Sequence, residues 1–322
     1  MKKFALVIML AALLLAGNTS AQAGVDPKLP EYKPVAGISG SLISIGSDTL
    51  NNMMTLWAEA FRGFYPAVTV EIRGAGSSTA PPALTEGTAN FGPMSRPMRD
   101  TEVEMFEKRF GYKPTQMYVA IDAVAAVVNK DNPLKCLSIP QLDAIFSVTR
   151  ACGHPEDVTR WGGVGLTGAW AARDIAMFGR SSASGTYGFF KDNALCEGDF
   201  KPGISEMPGS AALVLGVAEA IGGIGYTGIG YLTPGVKALA VSETTGGVCV
   251  EPTAENAIAG DYLLSRMLVV YVNKNPVEPL APMEREFLRF ILSRQGQEIV
   301  VRDGAVPLSE SVAAQIRQML AL

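Results

Sequence analysis

The sequence predicts an α/β protein built as two lobes, and three observations carry that expectation. Apolar runs of strand length alternate with segments of helical period, the pattern of βαβ units. The chain has 322 residues, a length that favours two domains over one. Two longer apolar runs, 117–129 and 262–273, lie far apart yet end alike, in Val-Val-Asn-Lys-Asp-Asn-Pro at 127–133 and Val-Tyr-Val-Asn-Lys-Asn-Pro at 270–276. The likeness does not extend far enough to be an internal repeat. It suits a pair of strands crossing between lobes.

The elements follow in order. Residues 38–45 form a strand ending at Gly46. Leu50, Met53, Met54, Trp57, Phe61 and Phe64 then recur at helical spacing, so a helix follows directly. A second strand, 68–72, runs into Gly74-Ala75-Gly76, and Pro81 marks the first turn of the next helix. Residues 90–94 make a short third strand. Thr101 and Glu104 are spaced as a capping box for a helix stopping at Gly111. The first crossing run, 117–129, encloses Asp122. Beyond it come a strand at 174–179, a helix at 186–195, a helix at 211–220 and a strand at 223–228. Residues 283–294 form an amphipathic C-terminal helix.

Composition narrows the functional classes. Apolar residues make up 48% and charged residues 18%, with Lys+Arg 27 against Asp+Glu 31 and a net charge of −4. This is a globular composition without the basic stripe that nucleic acid would require. One histidine, His154, leaves no histidine pair for a metal, and no cofactor is expected. Residues 1–23 have the build of a secretory signal peptide: Lys2 and Lys3, an apolar run over 4–15, and Ala21-Gln22-Ala23 as a cleavage site. The run is too short for a membrane anchor. Asn18 stands where a lipoprotein would carry cysteine. An exported chain starting at Gly24 is the expectation. Its cysteines, Cys136, Cys152, Cys196 and Cys249, then suggest two disulfides. Three pairings are open, and Cys136–Cys152 with Cys196–Cys249 is favoured because the first would close a short loop around one helix.

The chemistry lies in one local device used three times: a strand ends, a Ser/Thr/Gly stretch follows, and a helix begins. The stretches are Gly46-Ser47-Asp48-Thr49, Gly76-Ser77-Ser78-Thr79 and Arg180-Ser181-Ser182-Ala183-Ser184-Gly185-Thr186. A helix N-terminus leaves N–H groups unpaired and carries partial positive charge, hydroxyls add donors, and glycine lets a ligand approach the backbone. Any one of these could be an ordinary cap. Three at the C-terminal ends of strands share the edge where α/β sheets bind ligands, and make an anion cradle. Arg180 adds a planar cation. Gly92-Pro93-Met94-Ser95-Arg96-Pro97, after the third strand, offers Ser95 and Arg96, or is simply a turn. Asp48 would repel an anion, unless the anion carries a proton that needs an acceptor, as hydrogen phosphate does and sulfate does not. Asp122 could serve the same purpose, or bond backbone or an arginine.

These stretches, with Phe91-Gly92-Pro93-Met94-Ser95-Arg96 and Ser184-Gly185-Thr186, resemble the periplasmic phosphate-binding proteins of phosphate ABC importers over about residues 37 to 300. The resemblance implies the type II periplasmic binding-protein fold. Lobe 1 would comprise 24–118 and 274–322, and lobe 2 would comprise 119–273 with the crossing strands at its ends. It implies no catalysis, a periplasmic or secreted location, a monomer, inorganic phosphate as ligand and a membrane permease as partner. The phosphate-binding residues it implies are Ser47, Asp48, Thr49, Ser77 or Ser78 with Thr79, Ser95, Arg96, Arg180, Ser184, Gly185 and Thr186, with Asp122 in reserve. One departure matters. Many members carry an Asp after the third strand that accepts the phosphate proton, whereas Ser95-Arg96 stands here. Asp48 or Asp122 would then be the acceptor, or the preference for protonated anion is relaxed. The chain is also similar to the DING proteins, without the sequence Asp-Ile-Asn-Gly.

An exported phosphatase would need the same cradle and is the rival from another class. His154 lies outside every loop, and neither a Gly-x-Ser-x-Gly elbow nor a Walker A sequence occurs. An extracellular interaction protein on the same fold is the third reading.

Overall fold

The computed structural model describes residues 24–322; the signal-peptide features at 1–23 lie outside the described residues. The first half-lobe runs β1 (Gly40–Ile45), α1 (Asn51–Phe64), β2 (Val68–Arg73), α2 (Ala80–Glu86), β3 (Phe91–Met94) and α3 (Asp100–Phe110). A 15-residue strand, β4 (Thr115–Asn129), leaves this lobe. The second lobe holds β5 (Cys136–Ser138), α4 (Ile139–Phe146), β6 (Ala176–Arg180), α5 (Gly185–Ala194), β7 (Ser205–Met207), α6 (Ser210–Glu219), β8 (Gly223–Gly228), β9 (Val236–Ala238), β10 (Ala240–Ser242) and α7 (Ala254–Ala259). The chain returns along β11 (Ser265–Val272) and ends in α8 (Pro282–Ile291), α9 (Arg294–Arg302) and α10 (Glu310–Leu320).

The two crossing strands are neighbours in a single sheet ordered β2-β1-β3-β11-β4-β8-β6-β7. β4 pairs antiparallel with β11 over Thr115–Ala123, then with β8 and β9 over Val124–Asn129. One strand thus belongs to both halves. Its largely apolar sequence fits that position, because from Val119 onward nearly every residue on both faces is buried. Two main cores result. One packs Trp57, Phe61, Phe287 and Phe290 between α1, α8 and the sheet. The other packs Phe146, Trp161, Phe190 and Tyr226, the last two as stacked rings 4.1 Å apart. This is a two-lobed α/β architecture of the type II periplasmic binding-protein kind. Among the described residues, no helix is long and apolar enough to cross a membrane.

Three local expectations need correction. The α3 N-cap is Arg99, not Thr101: the Glu102 carboxylate accepts the Arg99 backbone N–H at 2.8 Å, and Glu104 lies two positions too late. The C-terminal amphipathic helix expected over 283–294 is α8, which stops at Ile291. Ser293 caps α9 with its hydroxyl and ends the continuity with α8. The disulfides are Cys136–Cys249 and Cys152–Cys196, not the favoured pairs. Parallel pairing of β5 with β10 places Cys136 beside Ala240, and the Val241–Val250 bridge folds Cys249 back onto that edge. Cys152 instead faces the C-terminal end of α5, where Cys196 turns through a positive φ.

Candidate functional site

The three Ser/Thr loops and the β3 end converge where the lobes meet, and the contacts between them are direct. The loop after β1 supplies Ser47, Asp48 and Thr49. Ser47 Oγ donates to Ser95 Oγ at 3.0 Å, and Ser77 Oγ lies 3.3 Å from Ser95 Oγ while accepting the Ser95 backbone N–H at 3.0 Å. All three serines are buried. Against them lies Gly185, the first residue of α5. A methyl group there would come within 2.3 Å of Ser77 Oγ and 2.6 Å of Ser95 Oγ. Gly76, at φ +106, is pressed against the Ala183 carbonyl, and Ser78 N–H donates to that same oxygen at 3.1 Å. Across the cleft, Thr49 Oγ1 and Thr186 Oγ1 are 2.9 Å apart. Tyr231 donates its hydroxyl to the Asp48 and Thr49 carbonyls. The lobes are closed on each other.

Arg180 ends β6 and is 5% exposed. Its guanidinium donates to Ser210 Oγ at 2.8 Å and lies 3.2 Å from Asp48 Oδ2. Among the described residues, its buried Nε has no protein partner. Asp48 does not cap α1, whose N-cap is Leu50. Its Oδ2 instead accepts from the backbone N–H and hydroxyl of Ser210, the first residue of α6 in the other lobe. A carboxylate at a helix N-terminus is favourably placed, and here it also neutralises Arg180.

The remaining expected residues sit differently. Ser184 Oγ accepts from the Thr186 and Tyr187 N–H groups as the α5 N-cap. Thr79 Oγ1 donates to the Gly76 carbonyl within its own loop. Arg96 turns to Glu102, making a two-pronged pair at 2.7 and 2.8 Å, and donates to Ser78 Oγ. That pairing holds the Glu102 carboxyl below its ordinary value, against the opposing effect of burial. Asp122 is buried in the crossing pair, directly opposite Arg266 in the β4–β11 register. Burial pushes its carboxyl up from the ordinary range, against the pull of Arg266.

Arg266 is the residue that sequence reasoning missed. It is the second residue of β11, its side chain 4% exposed, and donates through Nε and NH2 to Asp122, through NH1 to the Ser95 carbonyl and through NH2 to Thr186 Oγ1. The available signal was a lone Arg in one apolar crossing run and a lone Asp in the other.

This fold and cleft define a periplasmic binding protein of type II. A family profile described as the PBP superfamily domain matches residues 33–295, and the chain belongs to that superfamily. It is 55% identical, over 95% of both chains, to the phosphate-binding protein PstS of Pseudomonas aeruginosa. Among solved structures, it resembles a candidate phosphate ABC transporter substrate-binding protein of Clostridium perfringens with bound phosphate, at TM-score 0.69 and 27% identity, covering 84% of this chain and 100% of that one. An ABC-type phosphate transport receptor from Vibrio cholerae shares the fold at TM-score 0.64 and 22% identity, over 83% of this chain and 100% of that one.

Proposed function

We propose that the protein captures inorganic phosphate between its lobes and hands it to an ABC permease in the inner membrane, from the periplasm and as a monomer. It acts as a transport receptor rather than an enzyme. The lobes are taken as 24–118 with 274–322, and 119–273. The observation that carries this reading is a cluster of buried hydroxyls from both lobes, Ser47, Ser77 and Ser95 with Thr49 and Thr186, on the same loops as the Asp48–Arg180 pair, whose arginine Nε lacks a protein partner among the described residues. Ser47, Thr49, Ser77, Ser95 and Thr186 supply hydroxyls, Gly185 supplies backbone at the start of α5, and Arg180 supplies charge. Ser184, Ser78, Thr79 and Arg96 shape the loops around them. Asp48 is the acceptor for the phosphate proton: its own bonds, to Ser210 and Arg180, fall on Oδ2, and its side chain stays 22% exposed, whereas Asp122, 4% exposed, is held by Arg266 and by backbone N–H groups. The identity to PstS supports phosphate as the anion. Calorimetric titration of the mature chain with phosphate and with sulfate tests the reading, with a phosphomonoester assay run in parallel. Saturable phosphate binding without turnover is expected, and phosphate heats no larger than those of sulfate would overturn it.

A further inference from the structure

Arg266 is built into the crossing pair, yet it reaches a group from each lobe. Its NH1 donates to the Ser95 carbonyl after β3, 3.0 Å away, and its NH2 donates to Thr186 Oγ1 on α5, also at 3.0 Å. Asp122 holds the guanidinium from below through Nε and NH2, at 3.0 and 2.8 Å. The Phe189 ring covers it at 5.2 Å from the ring centroid. Guanidinium has five N–H donors and no acceptor, so Thr186 Oγ1 must accept from it.

That constraint passes on to Thr49. The two threonine hydroxyls, 2.9 Å apart, have two hydrogens between them. One lies in the bond they share, whichever way it points. Arg266 occupies a lone pair of Thr186, so the pair can satisfy itself no further from that side, and its second hydrogen is left to point outward. A charged donor at one end of a hydroxyl chain also polarises the rest, strengthening the terminal O–H as a donor. Asp122 balances the charge of Arg266, so the arginine does this without adding net positive charge to the cleft.

We propose that Arg266 is a positioning residue for anion binding: it orders the Thr186–Thr49 pair across the closed cleft so that the pair presents one hydroxyl hydrogen to an oxygen of the bound anion. This rests on the phosphate reading above. Arg266 does not touch the anion. It acts through Thr186, and that gives the proposal its test.

The experiment is a double-mutant cycle between Arg266→Lys and Thr186→Val, read as the phosphate dissociation constant by calorimetry, with thermal melts alongside. Lys keeps a positive charge beside Asp122 but cannot fork to Thr186 and Ser95 together. Arg266→Lys alone should weaken binding roughly tenfold to a hundredfold, the scale of one hydrogen bond to a charged group. In the Thr186→Val background, the same change should cost less than about twofold, since the chain is already cut. Equal losses in both backgrounds would overturn the proposal and leave Arg266 a structural ion pair. Undiminished affinity in Arg266→Lys would overturn it too. If Arg266→Lys does not fold, the paired change Arg266→Gln with Asp122→Asn, which leaves no unpaired charge, replaces it in the same cycle with the same expectations. Absence of phosphate binding by the wild-type chain sinks the functional reading itself, a result distinct from an additive cycle in a chain that binds.

Discussion

Arg180 and Asp48 face each other from opposite lobes, so each is held in place by closure. Arg180→Ala should weaken phosphate binding by about 2–5 kcal/mol, the usual cost of truncating one partner of a buried, hydrogen-bonded charge pair. That is roughly 30-fold to several-thousand-fold in dissociation constant, measurable by titration; near-native affinity would place the site elsewhere. Asp48→Asn keeps an acceptor oxygen but removes the negative charge. It should lose some affinity for phosphate and gain some for sulfate, because a proton-free sulfate oxygen no longer meets a like charge. Competition binding with both anions reads the ratio, and an unmoved ratio would reduce Asp48 to its contacts with Ser210 and Arg180. At this scale, residue types were legible but their partners were not. Arg180 and the serines could be found from their place at strand ends. Arg96 was a second candidate, in a segment that could be simply a turn, and the fold brings Glu102, six positions along, onto its guanidinium. Arg266 lay in a run that looked like plain strand, and its meaning depends on a register with Asp122 that joins positions 144 apart.

Elements carry the loops, and the small residue at the start of α5 sets how closely the lobes approach. Gly185 has no positive φ, so alanine fits the backbone there and favours helix. Its methyl group, however, would fall on Ser77 and Ser95 of the other lobe. Gly185→Ala should therefore weaken phosphate binding at least tenfold, with no backbone strain added to α5. A variant with native affinity would show that the lobes do not close to this distance in the complex. The disulfides belong to the same scale. Strands and helices were readable from period and punctuation, whereas Cys136–Cys249 depends on β5 and β10, each of 3 residues, too short to leave a pattern. The two bridges close loops of 113 and 44 positions, lengths for which chain entropy gives about 4–5 kcal/mol each before strain. Non-reducing peptide mapping should recover Cys136 with Cys249 and Cys152 with Cys196; the peptide pair 136–152 would contradict the fold of this edge.

For the molecule as a whole, closure gathers acidic groups as well as donors. Asp303, at the C-cap of α9, packs its carbonyl against Gly230 of the second lobe and accepts from Asn52. Asp122 and Tyr231 line the same small cleft. Burial raises the Asp303 carboxyl to about 6; the Asn52 bond opposes the rise, and the charge of Asp122 adds to it. In the unfolded chain, an aspartate titrates near 3.9. The folded protein therefore binds this proton more tightly than the unfolded chain does. Stability tied to it is present in full below about pH 4 and is lost as pH rises through about 6. Above that, the closed protein holds a carboxylate it would rather keep protonated. Asp303→Asn retains an acceptor for Asn52 and removes the charge. The variant should be more stable than wild type at pH 7.5, on the order of 1–3 kcal/mol for a shift of this size. The gain should shrink between pH 6 and pH 4 and vanish below. Denaturant unfolding of both proteins across that range is the measurement. A stability difference that stays flat with pH would mean that Asp303 is as readily ionised in the fold as out of it, and that closure brings no acidic strain to this side of the cleft.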